Sequence, residues 1–503
     1  MKIGIVTTWF ERGAAYVSKQ YMHVLEKDND VYIYARGGER YAINEKEWDY
    51  KNVTWGTKKS EIITDIDLVD FQNWLFKYEI EILLFNEQIY WEPVILTKKL
   101  GIKTGAYIDY YTLSTFPIFG LYDFLLCNTK RHYSVFKDFD QCYYIPWGTD
   151  TEIFRPKEVK KIKNNENVIF FMSVGYAPKR KGADIALRAF SKFKEKDNCK
   201  LVIHTQTDIR TAIPDCVKII NKLIDLGKLD IIQGSFSAPG LYYMADVYIY
   251  PSWLDGIGLT LAEAISSGLP VITTDMAPMN EFGNSEFVKL VKVDRQISRE
   301  DAYYWPLSII NEGSLYEAMK YYMQNAQEIP AMKVKAREYA LSKLNWMNNA
   351  AGLNAIISSV KIKPMDDELI YHARKTDRKN RFIEFRVKDY NERIYKINKK
   401  IEKATGRIAI YCAGEHTRKL ISLTDVLSKN VVAVIDKCYK EEVIGGIEIV
   451  YPEKIREIKP DSIVISSYKF QNEIEKELLN LYEYTGKIIK LYDVDDQGEF
   501  YDV

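Results

Sequence analysis

What most constrains this 503-residue chain is an alternation, repeated along its length, of short continuous apolar runs with amphipathic stretches. In residues 1–150 the runs are Lys2–Thr7 (KIGIVT), Val31–Tyr34, Ile80–Phe85, Thr104–Ile108, Phe124–Cys127 and Tyr143–Ile145, with a helix predicted over Ala15–Leu25. A strand that is apolar all round must be covered on both faces, so the pattern predicts a parallel sheet with helices on each side. A polar stretch from Gly148 to Asn167, carrying Pro156 and a lysine cluster, reads as a linker. A second series follows with strands expected at Val168–Ser173, Lys200–His204, Leu229–Ile232, Val247–Tyr250, Pro270–Thr273 and Val288–Val291. Its helices are expected at Ala183–Lys194, Ala238–Met244 and Thr260–Ser267, with the last ones inside Ser314–Val360.

The two series define two Rossmann-like domains, over about residues 1–150 and 151–360. Residues 361–404 form a helical linker. Within it, 366–402 is highly charged, with apolar residues at helical spacing, and such a helix could pair with itself to make a homo-oligomer or pack across the first two domains. Residues 405–503 begin a third, smaller Rossmann-like domain whose strands are IAIYCAG, VVAVID, SIVISS and IIKLYD.

Charge excludes some partners. Lys plus Arg (70) equals Asp plus Glu (70), so no global field attracts nucleic acid or an anionic membrane, and any anion site must be local. The opening MKIGIVTTWFERG has an apolar run too short for a signal peptide, and no stretch approaches the ~20 apolar residues of a membrane helix. A cytoplasmic protein without a transmembrane segment is expected. Six cysteines without a CxxC pair suggest reduced thiols, and five histidines without an HxxxH or HExxH spacing suggest no metal site. The Asp65/Asp67 and Asp493/Asp495 pairs have the spacing of a metal motif but lie beside no expected phosphate cradle.

The segment that carries chemistry is PSWLDGIGLTLAEAISSGLPVITTD, residues 251–275. A strand ends at Pro251, a loop with Gly256 and Gly258 follows, and a helix starts near Leu259. Two glycines let the backbone approach a ligand, and the exposed amides at a helix start, aided by its dipole, favour an anion. Asp255 and Glu263 flank this cradle and suit hydroxyls better than phosphates. The plainer alternative is a tight turn whose two carboxylates complement the helix dipole.

The segment resembles the donor site of the family 4 retaining glycosyltransferases, PSxxEGFGLxxxEAMAxGxPVVxSD, with Asp255 at the first acid and Glu263 at the second. ADVYIYPS (245–252), Glu281, YIPWGTDTEIFRP (144–156) and MSVGYAPKRKG (172–182) resemble further signatures of that family in the same order. The resemblance implies a GT-B fold, two Rossmann-like domains facing across a cleft, and transfer from a nucleotide-diphosphate sugar of UDP or GDP type with no other cofactor. Glu263 would bind ribose hydroxyls. Amides near Gly258, Leu259 and Thr260 would hold the diphosphate, with Lys181 neutralising it as it leaves. Asp255, Gly256 and Ile257 would face the donor sugar. The family needs no protein nucleophile, the leaving phosphate itself helping to deprotonate the acceptor.

Three departures bear on mechanism. Tyr176 stands where the family has Arg after Gly175, leaving Lys179 or Arg180 to supply that charge. The glycine-rich loop after the first strand reads ERGAA (11–15), so Gly13 is kept and Ala14 follows it. The family's His at the end of a middle strand is replaced in AYIDYYT (106–112) by Ile108 or Asp109, and Asp109 suits a sugar hydroxyl and a helix cap equally. Asp109, Lys181 and Asp255 are the residues assigned to the chemistry. The acceptor could be a glycan, a protein or a lipid. A phosphorylase on the same fold and a non-catalytic sugar-nucleotide-binding or scaffold protein are the alternatives.

In IAIYCAGEHTRKLI (408–421), of the three glycines of a GxGxxG dinucleotide motif only Gly414 is present, Cys412 and Thr417 holding the other places, with Asp436 ending the next strand. The stretch is similar to small domains appended to sugar-modifying enzymes, and an assembly module is the plainer reading, with Glu415 and His416 the residues to test otherwise.

Overall fold

The computed structural model describes residues 1–37, 40–57, 64–157, 167–439, 443–467 and 470–492. They divide into two compact units, 1–377 and 378–503. In the first unit, seven strands form one sheet: β1 (Lys2–Thr7), β2 (Asp30–Ala35), β3 (Val53–Trp55), β4 (Ile82–Asn86), β5 (Lys103–Tyr107), β6 (Phe124–Cys127) and β7 (Cys142–Tyr144). Their order is β3-β2-β1-β4-β5-β6-β7 and their pairings are parallel. Parallel pairing follows from sequence, since Ile3, Ile5, Ile33, Leu83, Leu125 and Leu126 are all fully buried and leave no face for water.

The second sheet of this unit holds β8 (Val168–Gly175), β9 (Cys199–Thr205), β10 (Leu229–Gln233), β11 (Val247–Tyr250), β12 (Val271–Thr274) and β13 (Val288–Val291). Its order is β10-β9-β8-β11-β12-β13, again parallel. Two doubly covered parallel sheets in one unit make the GT-B arrangement expected from the sequence. An antiparallel hairpin of β14 (Val293–Ile297) and β15 (Leu307–Ile310), not foreseen, follows β13.

Several local expectations change. The helix expected over Ala183–Lys194 ends at Phe190, where the Ser191 hydroxyl bonds the Arg188 carbonyl. Ala238–Met244 is not a helix but a single turn at Tyr242–Met244, because Pro239 has no N–H to give and Gly240 adopts φ 68°. Residues 346–359, placed with the second domain from sequence, return to the first: the Trp346 indole donates to the Gln20 carbonyl at 2.8 Å and meets the Tyr21 ring edge-on at 5.2 Å. Asp67 caps the unforeseen helix Leu68–Lys77 by accepting from the amides of Val69 and Asp70, both at 3.0 Å. Asp493 and Asp495 lie outside the described residues, as do 158–166 of the expected linker. No helix among the described residues is long and apolar enough to cross a membrane.

The charged segment forms the helix Asp367–Ile401, which runs from the first unit into the second. In the second unit, β16 (Ile408–Tyr411), β17 (Val431–Ile435), β18 (Val443–Ile444), β19 (Ile447–Val450), β20 (Ser462–Ile465) and β21 (Lys487–Lys490) lie in the order β18-β19-β17-β16-β20-β21. All pairs are parallel except β18 with β19, an edge hairpin closed by Gly445 and Gly446, both at positive φ.

Candidate functional site

In a doubly wound sheet, the loops leaving the C-terminal ends of neighbouring strands part where the strand order reverses, and a crevice opens there. The reversal falls between β1 and β4 in the first sheet and between β8 and β11 in the second. Loops after these strands line a single cleft of about 610 Å³. Glu11–Ala14 follow β1, Glu87 follows β4, Asp109 and Tyr110 follow β5, Gly175–Ala177 with Arg180 and Lys181 follow β8, and Leu254–Ile257 follow β11. Of the residues singled out from sequence, Gly13, Ala14, Asp109, Arg180, Lys181, Asp255, Gly256, Ile257, Leu259, Thr260 and Glu263 line this cleft. Gly258 does not line it. It turns the chain into the helix Leu259–Ser266 at φ 97°, a conformation glycine adopts without strain.

Helix starts converge here. The helix Gly13–Leu25 begins opposite Leu259, whose Cδ1 would be 3.5 Å from a Cβ added to Gly13. Unpaired amides and dipole ends on both sides of the gap make it favourable to an anion. The helix Ala183–Phe190 starts close by, after Gly182 at φ 77°, where any Cβ would stand 2.1 Å from the Pro251 carbonyl oxygen.

Lys181 projects into this gap. Its ammonium bonds the Asp255 carboxylate and, at 2.6 Å, the Tyr250 hydroxyl, while Arg180 stands 3.6 Å from the same carboxylate. Burial alone would raise the Asp255 pKa, but Lys181 and then Arg180 overcome it and hold the group well below the usual carboxylate range. The Lys181 ammonium is pushed down by its own burial, with Asp255 opposing that shift. Of the two cations considered as substitutes for the family's Arg, Arg180 lines the cleft and Lys179 is exposed outside it.

Glu263 sits in the second turn of the helix Leu259–Ser266 and accepts from the Tyr242 hydroxyl at 2.6 Å. Too far along to complement the dipole, it is desolvated by the surrounding protein, and its pKa is pushed up to about 7. At the far end of the cleft, His204 is fixed between the Ser173 hydroxyl at 2.9 Å and the Gly234 carbonyl at 2.8 Å, and the Phe236 ring meets it edge-on. Tyr176, 58% exposed, is also part of the cleft lining.

The loop Leu254–Ile257 is held from the first half of the unit. Trp305 Nε1 can only donate, so the Tyr111 oxygen accepts from it at 2.6 Å. Tyr111 then gives its own proton to His132 Nδ1 at 3.1 Å, and His132 Nε2 donates to the Gly256 carbonyl at 3.2 Å. Burial, then the neighbouring Arg131 charge, drives the His132 pKa well below its ordinary value, which keeps the ring neutral as this chain of donors requires. Arg131 reaches the Asp255 carbonyl and, at 3.0 Å, that of Ala277. Glu281 lies outside the cleft, and its carboxylate accepts from the amides of Lys130 at 2.6 Å and Arg131 at 2.8 Å.

Ile108 is buried in the core, so of the two residues in the place of the family's His it is Asp109 that reaches the cleft. Asp109 does not cap a helix. Its Oδ1 would stand 2.2 Å from a Cβ on Gly256, so that glycine is what allows the two to approach. Gly256→Ala is therefore expected to displace the Asp109 carboxyl and lower turnover about 100-fold, as misplacement of a reacting group by ~1 Å does, while leaving nucleotide affinity within a few-fold. Steady-state kinetics and calorimetry on the one variant check both. Glu11, Glu87, Arg131 and His132 were not singled out from sequence. For Glu87 the available signal was its place directly after the apolar run of β4.

In the second unit, Cys412 takes the position of the missing first glycine at φ 87°. The Asp436 carboxylate accepts from the amides of Ala413 at 2.6 Å and Cys438 at 2.8 Å, so it braces its own loop in the place where a dinucleotide fold would meet ribose. His416 is buried against the Ser466 carbonyl and the Tyr492 hydroxyl, and Glu415 opens the helix Glu415–Leu423.

Residues 154–299 match the family model described as glycosyl transferases group 1, and residues 404–489 match one described as C2185-like, N-terminal. An uncharacterized glycosyltransferase of Methanocaldococcus jannaschii is 28% identical over 144 residues, 27% of this chain and 35% of that relative's length. Among solved structures, sucrose-phosphate synthase from Thermosynechococcus elongatus is similar with a TM-score of 0.55 at 14% identity, over 71% of this chain and 98% of that one. Anabaena HepE, solved in complex with UDP-glucose, is similar with a TM-score of 0.56 at 11% identity, over 71% of this chain and 100% of that one. At such identities these likenesses establish the GT-B fold.

Proposed function

We propose that residues 1–360 act as a retaining glycosyltransferase that moves a hexose-type sugar from a UDP- or GDP-linked donor to a glycan, protein or lipid acceptor, in the cytoplasm. The observation that carries this reading is the gap between the starts of the helices Gly13–Leu25 and Leu259–Ser266, with Lys181 and Glu263 in the lining of the same cleft. A diphosphate fits the amides and the ammonium, and a ribose diol fits the carboxylate. The base would lie toward His204 and Phe236, and the sugar toward Asp255, Gly256, Ile257 and Asp109. The match over residues 154–299 covers the donor half of this site, and the solved complexes with UDP-glucose and with UDP favour a uridine donor. Residues 405–503, with the linking helix, would serve assembly, including pairing with a second copy.

One observation favours a second reading, a non-catalytic nucleotide-sugar-binding protein: Lys181 and Asp255 neutralise each other in the cleft. A panel of UDP-, GDP- and ADP-sugars separates the two. Turnover is expected for the wild type and at least a 100-fold loss for Glu263→Ala and Lys181→Ala. Equal turnover in all three would reject the site, and nucleotide binding by calorimetry without turnover would favour the second reading.

A further inference from the structure

Glu87 and Asp109 end two strands that run side by side, since β4 and β5 are parallel with Asn86 opposite Tyr107. Glu87 takes a left-handed backbone, φ 51°, as the chain leaves β4 at the point where the strand order reverses, and its side chain lines the cleft. There it stands beside Asp109, whose carboxyl rests against the Gly256 backbone. Two carboxyls that share a buried site hold a proton between them. The Arg12 guanidinium stands 3.4 Å from Glu87 Oε2, so of the two carboxyls it is Glu87 that has this cation beside it.

We propose that Glu87 and Asp109 form the general base of this cleft, Glu87 receiving the proton of the acceptor hydroxyl while Asp109 donates its own hydrogen bond to Glu87. This inference rests on the glycosyltransferase reading and departs from a mechanism in which only the leaving phosphate takes that proton. As the sugar C1–O bond to the diphosphate breaks, its electron pair leaves with the nucleoside diphosphate. The acceptor oxygen forms the new C1–O bond, its proton passes to Glu87, and the pair later returns that proton to water. The groups facing the pair are suited to holding it. Burial and then Glu87 raise Asp109 well above the ordinary carboxyl range, Asp255 adds to this and Arg131 opposes it, while Tyr107 and Tyr303 line the same cleft and the Tyr303 hydroxyl donates to the Asp109 carbonyl at 3.0 Å.

The test is turnover of UDP-glucose, or of whichever panel sugar the wild type prefers, by the full chain and its Glu87→Gln, Asp109→Asn and Glu87→Asp variants, with UDP affinity measured alongside. Glu87→Gln leaves no carboxylate to receive the acceptor's proton and is expected to cut the rate at least 100-fold. Glu87→Asp is expected to recover the rate to within about tenfold of wild type, with UDP affinity within threefold throughout. Turnover by Glu87→Gln and Asp109→Asn within twofold of wild type, or a loss of UDP affinity that matches the loss of rate, would each overturn the proposal. A wild type that turns over no nucleotide sugar would instead defeat the glycosyltransferase reading itself, and this inference with it.

Discussion

Replacing Lys181 by alanine is expected to cut transfer at least 100-fold and to destabilise the first unit together, and a second substitution should separate the two effects. The ammonium and the Asp255 carboxylate are each only 15% exposed. Removing one member of such a pair leaves the other desolvated without a partner, which costs about 3 kcal/mol in settings of this kind. Arg180, already 3.6 Å away, can recover a part of that by moving closer, so urea denaturation should show a loss at the lower end of the range. In the double variant Lys181→Ala, Asp255→Ala the stranded charge is gone and most of the stability should return. Activity should not return. If the ammonium faces charge that develops on a departing diphosphate, its loss removes about 10²–10³ in turnover whatever happens to Asp255. Arg180→Ala should be milder on both counts, because Lys181 keeps the carboxylate paired. A double variant that recovers turnover along with stability would show that Lys181 serves the fold and not the reaction.

What could be read from sequence here follows a physical line. Strands apolar on both faces announced themselves: Phe124–Cys127, Val247–Tyr250 and Val288–Val291 coincide with the observed strands. The donor-side loop was legible because its parts are contiguous, with strand, two glycines, helix start and Glu263 falling within seventeen residues of each other in one stretch, 247–263. The hairpin β14–β15 was not, since Val293–Ile297 is mostly exposed and has no apolar run to mark it. Nor was the part of the site built by the first sheet. Glu11, Glu87, Asp109, Arg131 and His132 come from four separate loops or helix starts, and only the strand order brings these to the same end of the sheet. Asp109 was found through a resemblance and Glu87 had none to help it. Glu281, matched only to a conserved acid of the family, bonds the start of a helix in the other half of the unit, a partner that its neighbours in sequence do not announce.

Glu263 should behave as a residue kept for binding at the expense of stability. Its pKa in the folded chain is about 7 because burial opposes its charge, against an ordinary value of 4.5. Below pH 4.5 both the folded and the unfolded chains hold the proton, and the group has no effect on stability. Between 4.5 and 7 the unfolded chain ionises first, so stability falls as pH rises. Above 7 the full difference, ~3 kcal/mol at 1.36 kcal/mol per pH unit, is in place and stays constant. Glu263→Gln keeps the shape and can still accept from Tyr242, yet has no charge to bury. It is expected to be more stable than wild type by ~3 kcal/mol at pH 8, equal to it near pH 4.5, and weaker for UDP by 10- to 100-fold at pH 8, where a carboxylate accepts ribose hydroxyls better than an amide does. Below pH 6 the wild-type carboxyl is itself mostly protonated in the empty cleft, so the affinity gap between the two proteins should narrow. Melting curves and calorimetry at pH 5, 6, 7 and 8 test both halves of the expectation. A stability difference that does not vary with pH would mean that Glu263 is hydrated in the empty cleft, and unchanged UDP affinity would remove it from the ribose site.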